Sequence, residues 1–317
     1  MRFVSLLASL VISAAAFAQG FPSKPVRWIV PFPPGGSTDI IARIVAQKMT
    51  EAWGQPVVVE NRAGAAGAIG SDVVAKSPPD GHTILMGTTT THAVNPAINP
   101  KLGYDNLADF TAVTLVATFP NVLVAHPSTA SSLRELIATL KAHPGKYNFG
   151  SSGPGSSTHL TGELFKQMTA TDINHIPYKG SGPLLNDLMA GHVAFAFDQI
   201  TAVISAVQAG KMRALGVASL ERNPALPDVP AIAEVLPGFE ATAWVGIFAP
   251  AKTPPDIAYK IQTETRKIVQ LPDIASRMRE LGATPVASPP AEFASFVQKD
   301  TEKWRNLVRT ANIKIEQ

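Results

Sequence analysis

Two stretches of the chain place small donors and flexible backbone where an anion can be held. The first is Pro31-Phe32-Pro33-Pro34-Gly35-Gly36-Ser37-Thr38-Asp39, and the second is Gly150-Ser151-Ser152-Gly153-Pro154-Gly155-Ser156-Ser157-Thr158-His159. Each lies between a run that reads as a strand and a segment with helical spacing. The first N–H groups of a helix have no partner inside it and carry the positive end of its dipole, so both loops suit a small anion. Glycine lets a ligand approach the backbone closely. Serine and threonine add hydroxyl donors without charge. Neither loop contains Lys or Arg, which favours a small carboxylate over a polyphosphate. The same residue types also cap ordinary helices. Two such loops, about 115 residues apart, argue for one shared site at the carboxyl ends of strands.

Other residues could complete that site. Asp198 ends the apolar run Val193–Phe197 and has two readings of equal weight. It caps the segment after it, or it accepts from a ligand hydroxyl, amine or ordered water. Thr88–Thr91 follow another strand; one or two of their hydroxyls are expected to face the cleft, the rest to cap or face solvent. Asp39 and Arg43, spaced i, i+4, read as an ion pair, which ranks Asp39 behind Ser37 and Thr38 as a ligand contact. The candidate ligand-binding set is Phe32, Pro33, Gly36, Ser37, Thr38, Thr88, Thr90, Ser152, Gly153, Ser157, Thr158 and Asp198.

Rival chemistries find less support. Gly64-Ala65-Ala66-Gly67-Ala68-Ile69-Gly70 lacks the G-x-G-x-x-G spacing of a dinucleotide loop and reads as a packing loop. There is no G-x-x-x-x-G-K-[ST] phosphate loop. Ser156, Ser157 and His159 are neighbours, but no G-x-S-x-G elbow surrounds them. The seven histidines show no H-x-x-x-H spacing. No cofactor and no metal is expected, and the chain is not expected to be an enzyme.

The elements that must position these loops alternate. Strands are expected at Val26–Val30, Val57–Val59 and Thr83–Met86, with a helix carrying Ile40, Ile41, Ile44, Val45 and Met49 after an N-cap at Ser37 or Thr38. Ala112–Val116 and Val122–Ala125 read as two strands separated by Phe119-Pro120-Asn121. Further strands and helices alternate through Tyr147–Gly150, Ser157–Met168, Ile173–Tyr178, the Leu184–Met189 segment, Val193–Phe197 and Ala214–Val217. Glu221–Pro230 is an exposed connector. After a strand at Trp244–Ala249, the rest is mostly helical and is expected to pack back on the first set of units. This is an open α/β architecture with two sets of β-α units.

Composition agrees. The 317 residues are 45% hydrophobic and 16% charged, with a net charge of +3, which excludes intrinsic disorder. The charge is thin for nucleic-acid binding, and no basic run or zinc-finger spacing is present. Cysteine is absent, which excludes disulfides and thiol chemistry. Met1-Arg2, the apolar run Phe3–Phe17 and Ala16-Phe17-Ala18 read as a secretory signal cleaved after residue 18. Its loss removes Arg2 and leaves +2.

Several stretches in order resemble the substrate-binding proteins of tripartite tricarboxylate transporters, the Bug receptors. They are Pro31–Asp39 with Ala42-Arg43, Val59–Gly67, Pro79-Asp80-Gly81-His82-Thr83, Asn148–Gly153 and His175–Gly180. His82 stands where Tyr is common in the family. The resemblance implies a type II-like, two-lobed periplasmic binding protein fold, each lobe a mainly parallel sheet flanked by helices, with a hinge between. Lobe one would be residues 19–117 with 246–317, and lobe two 118–245. It also implies that Ser37 and Thr38 in lobe one, and Ser152, Gly153, Ser157 and Thr158 in lobe two, grip a carboxylate, with Asp198 at a pocket position.

The function expected is periplasmic capture of a small organic carboxylate and its delivery to integral membrane transporter subunits, by a monomer that binds no nucleic acid. Two other classes stay open. One is a secreted α/β enzyme acting on a small carboxylate, with Asp198 or His159 as base. The other is a ligand-reporting module for a membrane sensor. A His159 within reach of a nucleophile in the cleft would favour the enzyme.

Overall fold

The computed structural model describes residues 20–310; the N-terminal apolar run and its cleavage site lie outside the described residues. The first sheet is built from β1 (Val26–Val30), β2 (Val57–Asn61) and β3 (Thr83–Thr88), all parallel, in the order β2-β1-β3. Between them run α1 (Ser37–Trp53) and α2 (Ala68–Ala75). Val26, Trp28, Ile29 and Val30 of β1 are fully buried, as a parallel strand covered on both faces requires. On α1, Ile41, Val45 and Met49 recur on one face and are fully buried, each worth roughly 2 kcal/mol of transfer free energy. The helix stops at Gly54, whose φ of 64° is left-handed.

After β3 the chain makes a tight π-type turn at Thr90–Val94 and a short helix, α3 (Asn95–Ile98), neither of which the apolar periodicity announces. It then enters β4, a single strand from Phe110 to Ala125. The two strands expected here are therefore one. Pro120 interrupts the sequence pattern without ending the strand, because it has no N–H to offer a ladder and stands where β4 exchanges partners. From Phe110 to Pro120, β4 pairs antiparallel with β9 (Thr242–Pro250), which in turn pairs with β3. From Asn121 to Ala125 it pairs antiparallel with β7 (Phe195–Gln199) on one side, and from Val122 to Ala125 with β8 (Arg213–Val217) on the other.

The second sheet continues from β7 through parallel β5 (Asn148–Ser151) and β6 (Asn174–Pro177). Its helices are α4 (Leu133–Ala142), α5 (Ser157–Thr169), α6 (Ser181–Met189) and α7 (Ile200–Gln208). Its core is aromatic: Phe149, Phe165, Phe195, Phe197 and Phe239 are all fully buried. The chain then returns along β9 into α8 (Pro255–Gln270), α9 (Pro272–Glu280), the short β10 (Thr284–Pro285) on β4, and α10 (Pro290–Thr310). As expected, this helical tail packs on the first set: α8 against α1 and β4, α10 against the Thr90–Val94 turn and β4. Thr301 of α10 donates to the carbonyl of His92 at 2.9 Å. Among the described residues, no helix is long and apolar enough to cross a membrane.

Candidate functional site

The loop after β1 is fixed from behind. Asp39 accepts from the Gly35 N–H at 3.0 Å, from Arg43 at 2.9 Å and from the Asn61 amide at 3.0 Å. The Asn61 amide also donates to the Phe32 carbonyl at 3.0 Å. Burial opposes ionisation of Asp39, but Arg43, the Gly35 N–H and Asn61 together hold its carboxyl below the usual range. Asp39 thus shapes the loop while the loop shapes the site. The N-cap of α1 is Gly36, not Ser37 or Thr38, and no side chain caps this helix. Gly36 can take the extended cap conformation without a side chain, so Ser37 and Thr38 become the first helical residues. Ser37 Oγ is buried and has no hydrogen-bond partner.

The loop after β5 is built differently. Ser156 is the N-cap of α5: its hydroxyl accepts from the His159 N–H at 3.1 Å and donates to the Gly153 carbonyl at 2.7 Å. Thr158 Oγ1 accepts from the Ser152 N–H at 3.0 Å. The Ser157 N–H donates to Thr90 Oγ1 at 3.1 Å, joining this loop to the threonine turn after β3.

Between the loops lies a narrow cleft of about 380 Å³, part of it open to solvent. Phe32, Pro33, Gly36, Ser37, Thr38, Thr88, Thr90 and Ser152 line it, together with Gly180, Ser181 and Gln199. No lining side chain is charged. The N-termini of α1, α6 and α7 border it through Ser37, Ser181 and Gln199, so polarity comes from helix ends, hydroxyls and one amide. An anion can be held there by hydrogen bonds alone.

Four expected residues stand off this wall. Ser157 and Thr158 are buried in the second loop with the partners given above, and Gly153 borders a neighbouring cavity. Asp198 is fully buried behind Ser181, whose hydroxyl donates to Oδ1 at 2.9 Å, while the Gln199 N–H donates to the same oxygen at 2.7 Å. Oδ2 has no partner. Burial pushes this carboxyl up to about 6 against those two donors. The threonine run is wholly buried, with none of it facing solvent. Thr89 accepts from the Trp244 N–H at 2.8 Å, and Thr91 and Thr88 bond one another's backbone N–H groups.

Sequence reasoning missed Gly180, Ser181 and Gln199. A signal for the first two was present: Gly180-Ser181 opens a helix after a strand, the same pattern as Gly36-Ser37. Gln199 adjoins the singled-out Asp198 but carries no mark of its own. The Gly64–Gly67 loop, read as packing, borders the neighbouring cavity as well.

His159 does not meet a nucleophile in the cleft. Its Nδ1 accepts from the Gly155 N–H at 3.0 Å, its Nε2 lies 3.7 Å from Glu163, and its ring stacks on His175 at 3.7 Å between centroids. Ser151 Oγ lies 2.6 Å from His175 Nε2, but Ser151 is fully buried and also donates to the Gly153 carbonyl.

Two α/β sheets sharing a long crossing strand, with a narrow uncharged cleft at their helix N-termini, form the architecture of a solute-binding protein. The chain belongs to the tripartite tricarboxylate transporter receptor family, whose pattern matches residues 41–313. It is 39% identical to the protein BugT of Bordetella pertussis over 98% of this chain and 96% of that one. A solved structure described as a periplasmic transporter is 42% identical, covers 93% of this chain and all of its own, and superposes with a TM-score of 0.91. The Rhodopseudomonas palustris protein Rpa4515, solved with adipate, is 37% identical with a TM-score of 0.90, over 92% of this chain and 99% of its own. The periplasmic binding protein BugD is 32% identical with a TM-score of 0.89, over 93% of this chain and all of its own.

Proposed function

We propose that this chain is exported by its cleavable signal, captures a small organic carboxylate between two lobes in the periplasm and delivers it to a membrane transporter. One observation carries the reading: loops from the two sheets meet at one cleft whose polar groups are helix N-termini and hydroxyls with no charged side chain. The adipate bound to Rpa4515 is a carboxylate of the expected kind. The lobes are residues 19–117 with 246–317, and 118–245. The change of β4 partners after Pro120 and the start of β9 at Thr242 lie within a few residues of those limits.

Each lobe supplies part of the anion site, so ligand stabilises the closed arrangement through contacts that exist only there. In the lobe-one loop, Ser37 and Thr38 present hydroxyls and unpaired helix N–H groups. Ser152 and Ser181 face them from lobe two. Catalysis finds no support in the placement of His159 or Asp198, neither of which lines the cleft.

Thermal melting of the purified chain against a panel of organic acids tests the reading. A ligand at a hundredfold excess over its Kd should raise stability by about 2.7 kcal/mol. Turnover of an acid with no acid shifting the melt would overturn it. Pull-down of membrane components separates delivery to a transporter from reporting to a sensor.

A further inference from the structure

A wider cavity opens off the cleft and shares Phe32, Pro33, Ser152 and Gly180 with it. It encloses about 1080 Å³, part of it open to solvent. One wall is the turn after β2, Ala63–Gly67; the other is Gly153-Pro154 with Tyr178 and Lys179.

The first wall has a fixed shape. Gly64, Ala65, Ala66 and Gly67 all have positive φ, at 134°, 47°, 50° and 85°. Two consecutive alanines in the left-handed region are costly, and such backbone persists where its surroundings over-determine it, often at ligand clamps. Here the Asn95 amide donates to the Ala66 carbonyl at 3.0 Å, and the Gly67 N–H donates to the Gly64 carbonyl at 3.0 Å. On the opposite wall the Tyr178 hydroxyl is spent on Asp187 at 2.8 Å, which leaves its ring as the surface offered. Lys179 is the single charged residue of the lining, and it is exposed.

Resting on the solute-binding reading above, we propose that the ligand is a carboxylate with a bulky apolar body, aryl or branched aliphatic. Its carboxylate occupies the narrow cleft and its body fills this cavity. A compact polar diacid would leave the cavity to water, and a second carboxylate placed among alanine, proline and tyrosine would lose hydration for, at most, a pair with Lys179, which is exposed and so worth little.

The test is calorimetric titration of the purified chain with 3-phenylpropionate, malate and adipate. 3-Phenylpropionate should bind at least tenfold tighter than either diacid. The substitution Ala63→Asp sets a charge on the cavity wall. It should weaken 3-phenylpropionate at least tenfold and malate less than threefold, with an unchanged circular dichroism spectrum. The milder Tyr178→Leu should weaken 3-phenylpropionate selectively too, so a misfolded Ala63→Asp would not shield the proposal. Tighter binding of malate or adipate to the unsubstituted chain overturns the apolar-body assignment and leaves carboxylate capture standing. Equal loss of all three acids in the folded variants overturns the cavity as its seat. Binding of none of the three, with no organic acid shifting the melt, overturns the solute-binding reading and this inference with it.

Discussion

Ser37 is the first residue of α1, and proline is well tolerated at that position because its N–H is free of the helix ladder. Gly36 before it is already extended, at ψ 168°, as a residue preceding proline must be. Ser37→Pro should therefore fold with a melting temperature within a few degrees of the unsubstituted chain. It removes a backbone donor and a hydroxyl from the cleft, and should weaken carboxylate binding about 10- to 100-fold by calorimetry, the worth of a hydrogen bond to a charged group. Asp198 makes a different prediction. Its carboxyl in the folded chain sits at about 6, above the ordinary 3.8 it regains on unfolding. The folded state thus holds the extra proton between those values. Stability from this group is present in full below pH 4 and is lost as pH rises through 6, by on the order of 3 kcal/mol. Asp198→Asn should remove that slope, so its denaturation midpoints gain on the parent's as pH climbs from 4 to 7. The sequence marked Asp198 as worth attention and left its role divided; burial behind Ser181 with one unpartnered oxygen emerges only from the packing of β7 against α6.

At the level of elements, the two glycine- and serine-rich loops differ in what holds them. The loop after β1 is braced by Asp39 in the first turn of α1, itself held by Arg43 and by Asn61 of β2, whereas the loop after β5 depends on the N-cap Ser156. Ser156→Ala should cost about 1 kcal/mol in urea unfolding through the lost N-cap. It should also leave the Gly153 carbonyl with only the Ser151 hydroxyl and the residue 156 N–H as donors, and raise amide exchange in residues 152–156. No comparable cap exists on α1, so no equivalent single change at Ser37 or Thr38 acts through capping. Most strands and helices here were legible from apolar runs and glycine or proline punctuation, because parallel strands buried on both faces are continuous apolar stretches. The exception at Pro120 is instructive. A proline in a strand reads as a break until the structure shows a position where the ladder changes partners. The Thr90–Val94 turn was invisible for another reason: Thr90 and the preceding Thr89 accept hydrogen bonds from a distant helix and strand, and no periodicity records those.

For the whole molecule, the two proposed lobes meet around the cleft at definite residues. Ser157 reaches Thr90, Ser181 faces Gly36, and Gly180 lies against Pro33. At Gly180, φ is 109° and a Cβ would sit 2.8 Å from Pro33 Cγ. Gly180→Ala should prop the cleft open: small-angle scattering would show less contraction on adding ligand, and affinity would fall about tenfold or more. Unchanged contraction and affinity would show that closure does not bring these residues together. By itself the sequence determined the α/β class, the two glycine- and serine-rich loops and the family, because each is written in short contiguous stretches whose local chemistry admits few alternatives. The tertiary structure decided which donors share one cleft, that Ser181 and Gln199 join them while Asp198 and Thr158 stand behind, and that an apolar cavity continues beyond. Those facts depend on how strands far apart in sequence pair along β4, and a pairing of distant segments leaves no mark in the local pattern of either one.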